Sequence, residues 1–107
     1  MDDAPIRDPI LTKFRAALDA VYGDRIERVV LFGSRARGGA QPGSDYDIAV
    51  FLRDLGSFWQ ETGPLSDIET TILYETGAVI NALPFPAGTY RERTGFMGEL
   101  RRNGLDL

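Results

Sequence analysis

The chain has 107 residues with 43% hydrophobic content, enough for one domain built on one core and too few for a second independent lobe. It contains neither cysteine nor histidine, which removes disulfides, thiolate and histidine metal sites and the usual Ser-His and Cys-His nucleophile pairs, and leaves carboxylates and hard cations as the available chemistry. Formal net charge is −4, and of the 12 cations only Lys13 is not an arginine, a balance that disfavours direct nucleic-acid binding through a general basic field and suits a basic protein partner better.

The N-terminal MDDAPIRDPI is acidic where a signal peptide would be basic and then apolar, and the sequence has no run of about 18 apolar residues, so a soluble, cytoplasmic protein with no membrane partner is expected. Asp8-Pro9 supplies an N-cap and a first-turn proline, and Ile10, Leu11, Phe14, Leu18, Val21 and Tyr22 recur at helical spacing until Gly23 stops them. The run Ile26 to Phe32 is β-branched and nearly continuously apolar from Val29, as expected of a strand covered on both faces. Residues 33–44 hold four glycines and a proline and have no periodic apolar face, which is turn chemistry.

Asp45 to Leu52 resumes as a strand, with Asp45, Asp47, Ala49 and Phe51 on one side and Tyr46, Ile48, Val50 and Leu52 on the other. Residues 53–63 read as a connection carrying Phe58 and Trp59. Pro64 then opens a helix whose buried stripe is Leu65, Ile68, Ile72 and Leu73 and whose end is Gly77. Ala78 to Phe85 is a third strand, finished by Pro84 and Pro86, and Thr89 to Asn103 is a last helix, stopped at Gly104. Trp59 and Tyr74 are assigned to packing, and Arg91, Arg93, Arg101 and Arg102 to a solvated helix face. No repeat or linker divides the chain, so residues 1–107 form one α/β domain.

The chemistry concentrates in GSRARGGAQPGSDYDIAV, Gly33 to Val50. Aspartates at i and i+2 of a strand project from one face with α-carbons roughly 6 to 7 Å apart, so Asp45 and Asp47 can converge on a hard cation. Ionised and uncompensated they repel each other, which a divalent cation relieves. Magnesium accepts carboxylate ligands and completes its shell with substrate phosphates. The turn gives those phosphates a place: Gly33 admits close backbone approach, the Ser34 hydroxyl hydrogen-bonds phosphate oxygens, and Arg35 or Arg37 neutralises their charge. Neither a GxxxxGK[ST] loop nor a GxGxxG fingerprint is present.

Gly33-Ser34, ten residues, then Asp45-Tyr46-Asp47 resembles the GS-x10-DxD signature of the DNA polymerase beta-like nucleotidyltransferase superfamily, and GSRARG with SDYDIAV looks like its minimal, antitoxin-type members. The resemblance implies a mixed α/β fold of about three strands and about four helices. It also implies transfer of a nucleoside monophosphate from a triphosphate such as ATP, with Mg2+ on Asp45 and Asp47. Gly33, Ser34, Arg35, Arg37 and Ser44 become the candidate nucleotide-binding residues. Minimal members pair with HEPN-domain ribonuclease toxins, and some silence them by attaching AMP to a tyrosine.

The family also carries a third carboxylate on a later strand. The corresponding position, in AVINALPF, holds Asn81, and Glu75 is the nearest acid, on the preceding helix. Asparagine offers a cation its carbonyl oxygen but accepts no proton, so an antitoxin acting by binding alone is an alternative. A small-molecule, aminoglycoside-like nucleotidyltransferase is another, one that requires a substrate lobe this chain lacks. A domain this small needs a partner to bring its acceptor, and Phe85, Tyr90, Phe96, Met97, Leu105 and Leu107 are the expected docking residues.

Overall fold

Asp8 caps helix α1 (Pro9–Tyr22) as its position beside a proline predicts, its carboxylate accepting the Ile10 N–H at 2.9 Å. The structure, a computed structural model, describes residues 8–38 and 40–107; the acidic stretch 1–7 and Gly39 of the glycine-rich loop lie outside them, as does the side chain of Phe58. A 3-10 turn at Gly23–Arg25 leads into β1 (Ile26–Phe32), which is followed by the one-turn helix α2 (Ser34–Arg37), β2 (Tyr46–Leu52), α3 (Phe58–Thr76) and β3 (Ile80–Pro86). A second 3-10 turn (Thr89–Arg91), helix α4 (Gly95–Asn103) and the short strand β4 (Leu105–Asp106) complete the described chain.

The sheet is mixed, in the order β3-β2-β1-β4, with β2 and β3 parallel and the other two pairs antiparallel. Parallel pairing of β2 with β3 needs a crossover, and α3 supplies it. The near-continuous apolar run of β2 has its predicted cause: Ile48, Val50 and Leu52 bury against α1 and α3, while Ala49 and Phe51 bury on the opposite face with Val30, Met97 and Leu100. Each of these side chains except that of Ala49, removed from water, contributes roughly 1.5 to 3 kcal/mol. Asp47 shares the second face with Ala49 and Phe51, so the carboxylate strand is braced by packed layers on both sides.

Several boundaries differ from expectation, each for a contact that periodicity does not reveal. Helix α3 does not open at Pro64. It begins at Phe58, where the Ser57 hydroxyl accepts the Gln60 N–H at 3.2 Å, and its first turns are anchored by Glu61, which is buried and pairs with Arg25 at 2.7 Å. These contacts offset the backbone donor that Pro64 removes inside the helix. The expected helix Thr89–Asn103 is divided: Thr94 caps a shorter α4, accepting the Met97 N–H at 3.1 Å, and the preceding turn is held by Glu27, which accepts from Gly88 N–H and from Arg91, both at 3.2 Å. Burial works against the charge of Glu27, yet those two donors outweigh it and hold its carboxyl below the usual range.

Among the described residues the sheet has four strands where about three were expected, because Leu105–Asp106 adds an edge pair to β1, fixed by Arg28 reaching both Asp106 oxygens at 2.9 and 3.1 Å. The stop at Gly104 permits this: a Cβ there would stand 2.5 Å from both the Leu100 carbonyl oxygen and Val30 Cγ1.

Of the expected docking set one residue is buried and four are half-buried against the two cores. Met97 is buried, Phe85 and Tyr90 pack on Phe51 at ring separations of 5.4 and 5.5 Å, Leu105 packs on the main core, and Leu107 N–H donates to the Val29 carbonyl at 2.9 Å. Phe96 is partly exposed and packs edge-on to Phe32 at 5.2 Å. Conversely Trp59 and Tyr74, assigned to packing, lie 80% and 85% exposed. Among the described residues no helix is long and apolar enough to cross a membrane.

Candidate nucleotidyltransferase site

Strand β1 ends in Phe32, whose β2 partner is Asp47, and the chain must then leave the sheet without covering that carboxylate. Gly33 makes this exit with φ 76° and ψ −157°, a backbone region essentially reserved for glycine. A Cβ at Gly33 would stand 2.5 Å from Asp47 Oδ2, so the absent side chain is the space that carboxylate oxygen uses. The Gly33 carbonyl then accepts the N–H groups of Ala36 and Arg37 at 3.1 and 3.2 Å, closing α2. Ser34 opens that turn, half-buried, and its hydroxyl has no hydrogen-bond partner among the described residues.

Asp45 is exposed at the entrance to β2, and Asp47 is half-buried two residues along the same face. In the parallel register Asp47 faces Asn81 of β3. The Asn81 amide Nδ2 donates to Asp45 Oδ2 at 3.2 Å and to Asp47 Oδ1 at 3.3 Å, so one side chain bridges both carboxylates. The structure therefore brings together Asp45, Asp47, Asn81 and Gly33. The two carboxylates form a hard oxygen donor pair, which fits magnesium, an ion commonly held by one or two protein carboxylates plus substrate phosphates.

Other predicted residues lie elsewhere. Tyr46 points to the helix face, where its hydroxyl donates to Asp8 Oδ2 at 2.7 Å, and burial together with that carboxylate pushes the phenol up to about 12. Arg35 stacks on the Tyr46 ring, its guanidinium 3.9 Å from the ring centroid, and donates from Nε to the Ser44 carbonyl at 2.9 Å. Ser44 spends its hydroxyl on the Gln41 N–H at 2.9 Å. Arg35 and Ser44 thus fasten the loop to β2 through Tyr46, on the face opposite Asp47, while Arg37 is exposed at the end of α2. Asp8, Tyr46, Arg35 and Ser44 form one connected unit. Its one signal in the sequence is that a tyrosine between two aspartates of a strand must face the core.

Glu75 is not near the pair; it binds Lys13 of α1 at 2.9 Å. The acid beside Asn81 along the chain's path is Glu69 of α3, whose Oε2 accepts the Ala82 N–H at 2.7 Å. This bond occupies a backbone donor on the outer edge of β3, where Pro84 and Pro86 bring none. Burial pushes the Glu69 carboxyl up, and the Ala82 N–H opposes it only in part. A folded-state value above the unfolded 4.5 means that the proton favours the folded chain. Glu69 therefore stabilises below about pH 4.5, and that contribution is lost as pH rises through the raised value. Glu69→Gln keeps an acceptor for Ala82 without the charge. In thermal melts it should gain on the wild type at pH 7, and the gain should shrink toward pH 4.

Three comparisons place this geometry. The family model described as "Polymerase beta, Nucleotidyltransferase" matches residues 20–81, from the end of α1 to Asn81. The candidate protein adenylyltransferase MJ0141 of Methanocaldococcus jannaschii is 33% identical over 98 residues, covering 92% of this chain and 95% of its own; MJ0604 of the same organism, with the same description, is 36% identical over 73 residues, 68% of this chain and 67% of its own.

Among solved structures, a toxin-antitoxin with AMP-PNP superposes with a TM-score of 0.63 at 17% identity, over 89% of this chain and 69% of that one. A candidate nucleotidyltransferase from Sulfolobus solfataricus gives 0.63 at 15% identity, over 91% and 75%. A double Asp-to-Glu mutant of the toxin-antitoxin MntA-HpeT gives 0.62 at 15% identity, over 89% and 69%. These structural likenesses establish the shared nucleotidyltransferase fold. The chain belongs to the polymerase beta nucleotidyltransferase family, and it is a nucleotidyltransferase.

Proposed function

We propose that this nucleotidyltransferase is an antitoxin that neutralises a HEPN-type ribonuclease toxin by magnesium-dependent transfer of AMP from ATP to a tyrosine hydroxyl of that partner. The observation that carries the reading is the convergence of Asp45 and Asp47 beside the Gly33-Ser34 turn, with Asn81 bridging them. Support comes from the adenylyltransferase description of both M. jannaschii relatives and from the toxin-antitoxin pairs, one of them with AMP-PNP, that share the fold.

Asp45 and Asp47 would hold the magnesium, which when bound supplies charge neutralisation and alignment for in-line displacement at phosphorus. Gly33 and Ser34 seat the phosphates, Ser34 through its uncommitted hydroxyl, and exposed Arg37 is placed to offset their charge. Arg35 and Ser44 keep the loop in shape around that seat. In the transfer the acceptor oxygen forms a bond to the α-phosphorus, the bond from that phosphorus to the bridging oxygen breaks, pyrophosphate leaves, and the hydroxyl proton passes to solvent.

Asn81 favours one competing reading. An amide accepts no proton at neutral pH, so a general-base contribution of about 10² to 10⁴-fold is missing at this position, and the chain would then neutralise its toxin by binding alone. Intact mass of the HEPN partner, incubated with the protein, ATP and magnesium, separates the two. The expected result is a mass increase of one or more AMP groups. An unmodified partner in a stable complex would establish the binding-only antitoxin.

A further inference from the structure

The Asn81 amide nitrogen lies within hydrogen-bond distance of both carboxylates, 3.2 Å from Asp45 Oδ2 and 3.3 Å from Asp47 Oδ1, and it carries two protons with which to serve them. Ionised carboxylates only accept hydrogen bonds, so in the metal-free protein the NH2 end of Asn81 must face them; its carbonyl end would be repelled. A cation reverses this requirement, because it is bound by oxygen and repels an N–H donor. Asparagine carries both ends on one planar group, exchanged by a half turn about its last side-chain bond.

We infer that Asn81 is a metal-linked positioning residue: its amide clamps Asp45 and Asp47 together while no cation is bound, and turns its oxygen to the site when one enters. The inference rests on the reading of Asp45 and Asp47 as metal ligands. It assigns a purpose to a neutral residue at this place. The clamp relieves repulsion within the pair and keeps it converged, and it lowers cation affinity, since binding must break two hydrogen bonds. Placement supports the assignment: Asn81 is fixed by the parallel register opposite Asp47, and the next residue, Ala82, is pinned from α3 by Glu69. The backbone that carries the amide is therefore held at this place, and the change falls to the side-chain torsions of Asn81.

An aspartate in its place should reverse both properties. Asn81→Asp sets a third negative charge against two, which weakens the metal-free fold and strengthens cation binding. Asn81→Ala removes the clamp without adding charge. Asn81→Asp adds a cation ligand under either role, so the clamp is read from Asn81→Ala: its loss of stability should shrink when Mn2+ replaces chelator, whereas a merely structural asparagine predicts the same loss in both.

The test uses the whole chain without nucleotide, melted in chelator and in saturating Mn2+, and titrated with Mn2+ by calorimetry. Expected are a lower melting temperature in chelator for both variants, a clearly smaller loss for Asn81→Ala in saturating Mn2+ than in chelator, and a Mn2+ dissociation constant at least about tenfold tighter for Asn81→Asp. An Asn81→Ala loss equal in the two conditions would overturn the clamp. Should Asn81→Asp fail to fold in chelator, recovery of its melting transition on adding Mn2+ supports the clamp, and failure to recover overturns it. Asn81→Asp melting at or above the wild type in chelator, or binding Mn2+ no more tightly, would also overturn it. If the wild type binds Mn2+ and the variant gains nothing, only the clamp fails; if neither binds, the assignment of the carboxylates as ligands falls with it.

Discussion

Asp47→Asn is expected to reduce nucleotidyl transfer to the partner by about 10³-fold or more while leaving the fold intact, because it removes one of two charges proposed to hold the cation and nearly nothing else. The substituted amide has almost the shape of the carboxyl group and still offers an oxygen to Asn81, whose present distance to Asp47 Oδ1 is 3.3 Å. Repulsion from Asp45 disappears. The metal-free melting temperature should accordingly hold or rise, whereas a residue important only for packing would lower it. Single-turnover transfer measured beside a thermal melt checks both halves. Activity within tenfold of the wild type would remove Asp47 from the chemistry.

Gly33→Ala is the second large effect, and it acts through the same carboxylate. The new Cβ meets φ 76° with ψ −157°, where an L-residue is strained by about 1 to 3 kcal/mol, and it would stand 2.5 Å from Asp47 Oδ2. The strain lowers the melting temperature by several degrees in a domain of this size. The collision displaces the carboxylate, and a shift of that order in a reacting centre costs about 10²-fold in rate. Gly38→Ala is the control: Gly38 also has positive φ, 81°, but a Cβ there meets nothing within 4 Å. Both variants should lose stability, and only Gly33→Ala should lose transfer. Equal loss of activity in the two would mean that loop strain, not the space beside Asp47, sets the rate.

The central strand and the acidic pair were legible because they follow from period two and from glycine chemistry, which are local. Asp45 and Asp47 on one face, Tyr46 and Ile48 on the other, needed only strand alternation. The position of Asn81 beside them came from the family resemblance, since no local pattern says which residue of a later strand aligns with Asp47. What the sequence hid was settled by distant partners. Glu61 found Arg25 across the core and so carried α3 back past Pro64 to Phe58. Leu105 and Asp106 make a strand only because β1 offers a free edge. The aromatic residues near the C-terminal end suit a docking surface by composition, and composition does not show that Phe85 and Tyr90 also pack half-buried on Phe51 of the second core.

Arg35 and Ser44 show the same limit at the site. Their residue types and their place in a loop between two motif halves suit phosphate, but neither reveals that the guanidinium stacks on Tyr46 or that the hydroxyl accepts the Gln41 N–H. Glu69 has no sequence signal, because its partner is a backbone N–H on an edge strand.

The most direct measurement is a crystal structure of the chain with Mn2+ and a non-hydrolysable ATP analogue, read by anomalous scattering. The account predicts an ion within about 2.3 Å of carboxylate oxygens from both Asp45 and Asp47, touching the analogue's phosphates, with the Asn81 N–H bonds to the pair broken. An analogue bound with the two carboxylates still tied to Asn81 and no ion between them would contradict it.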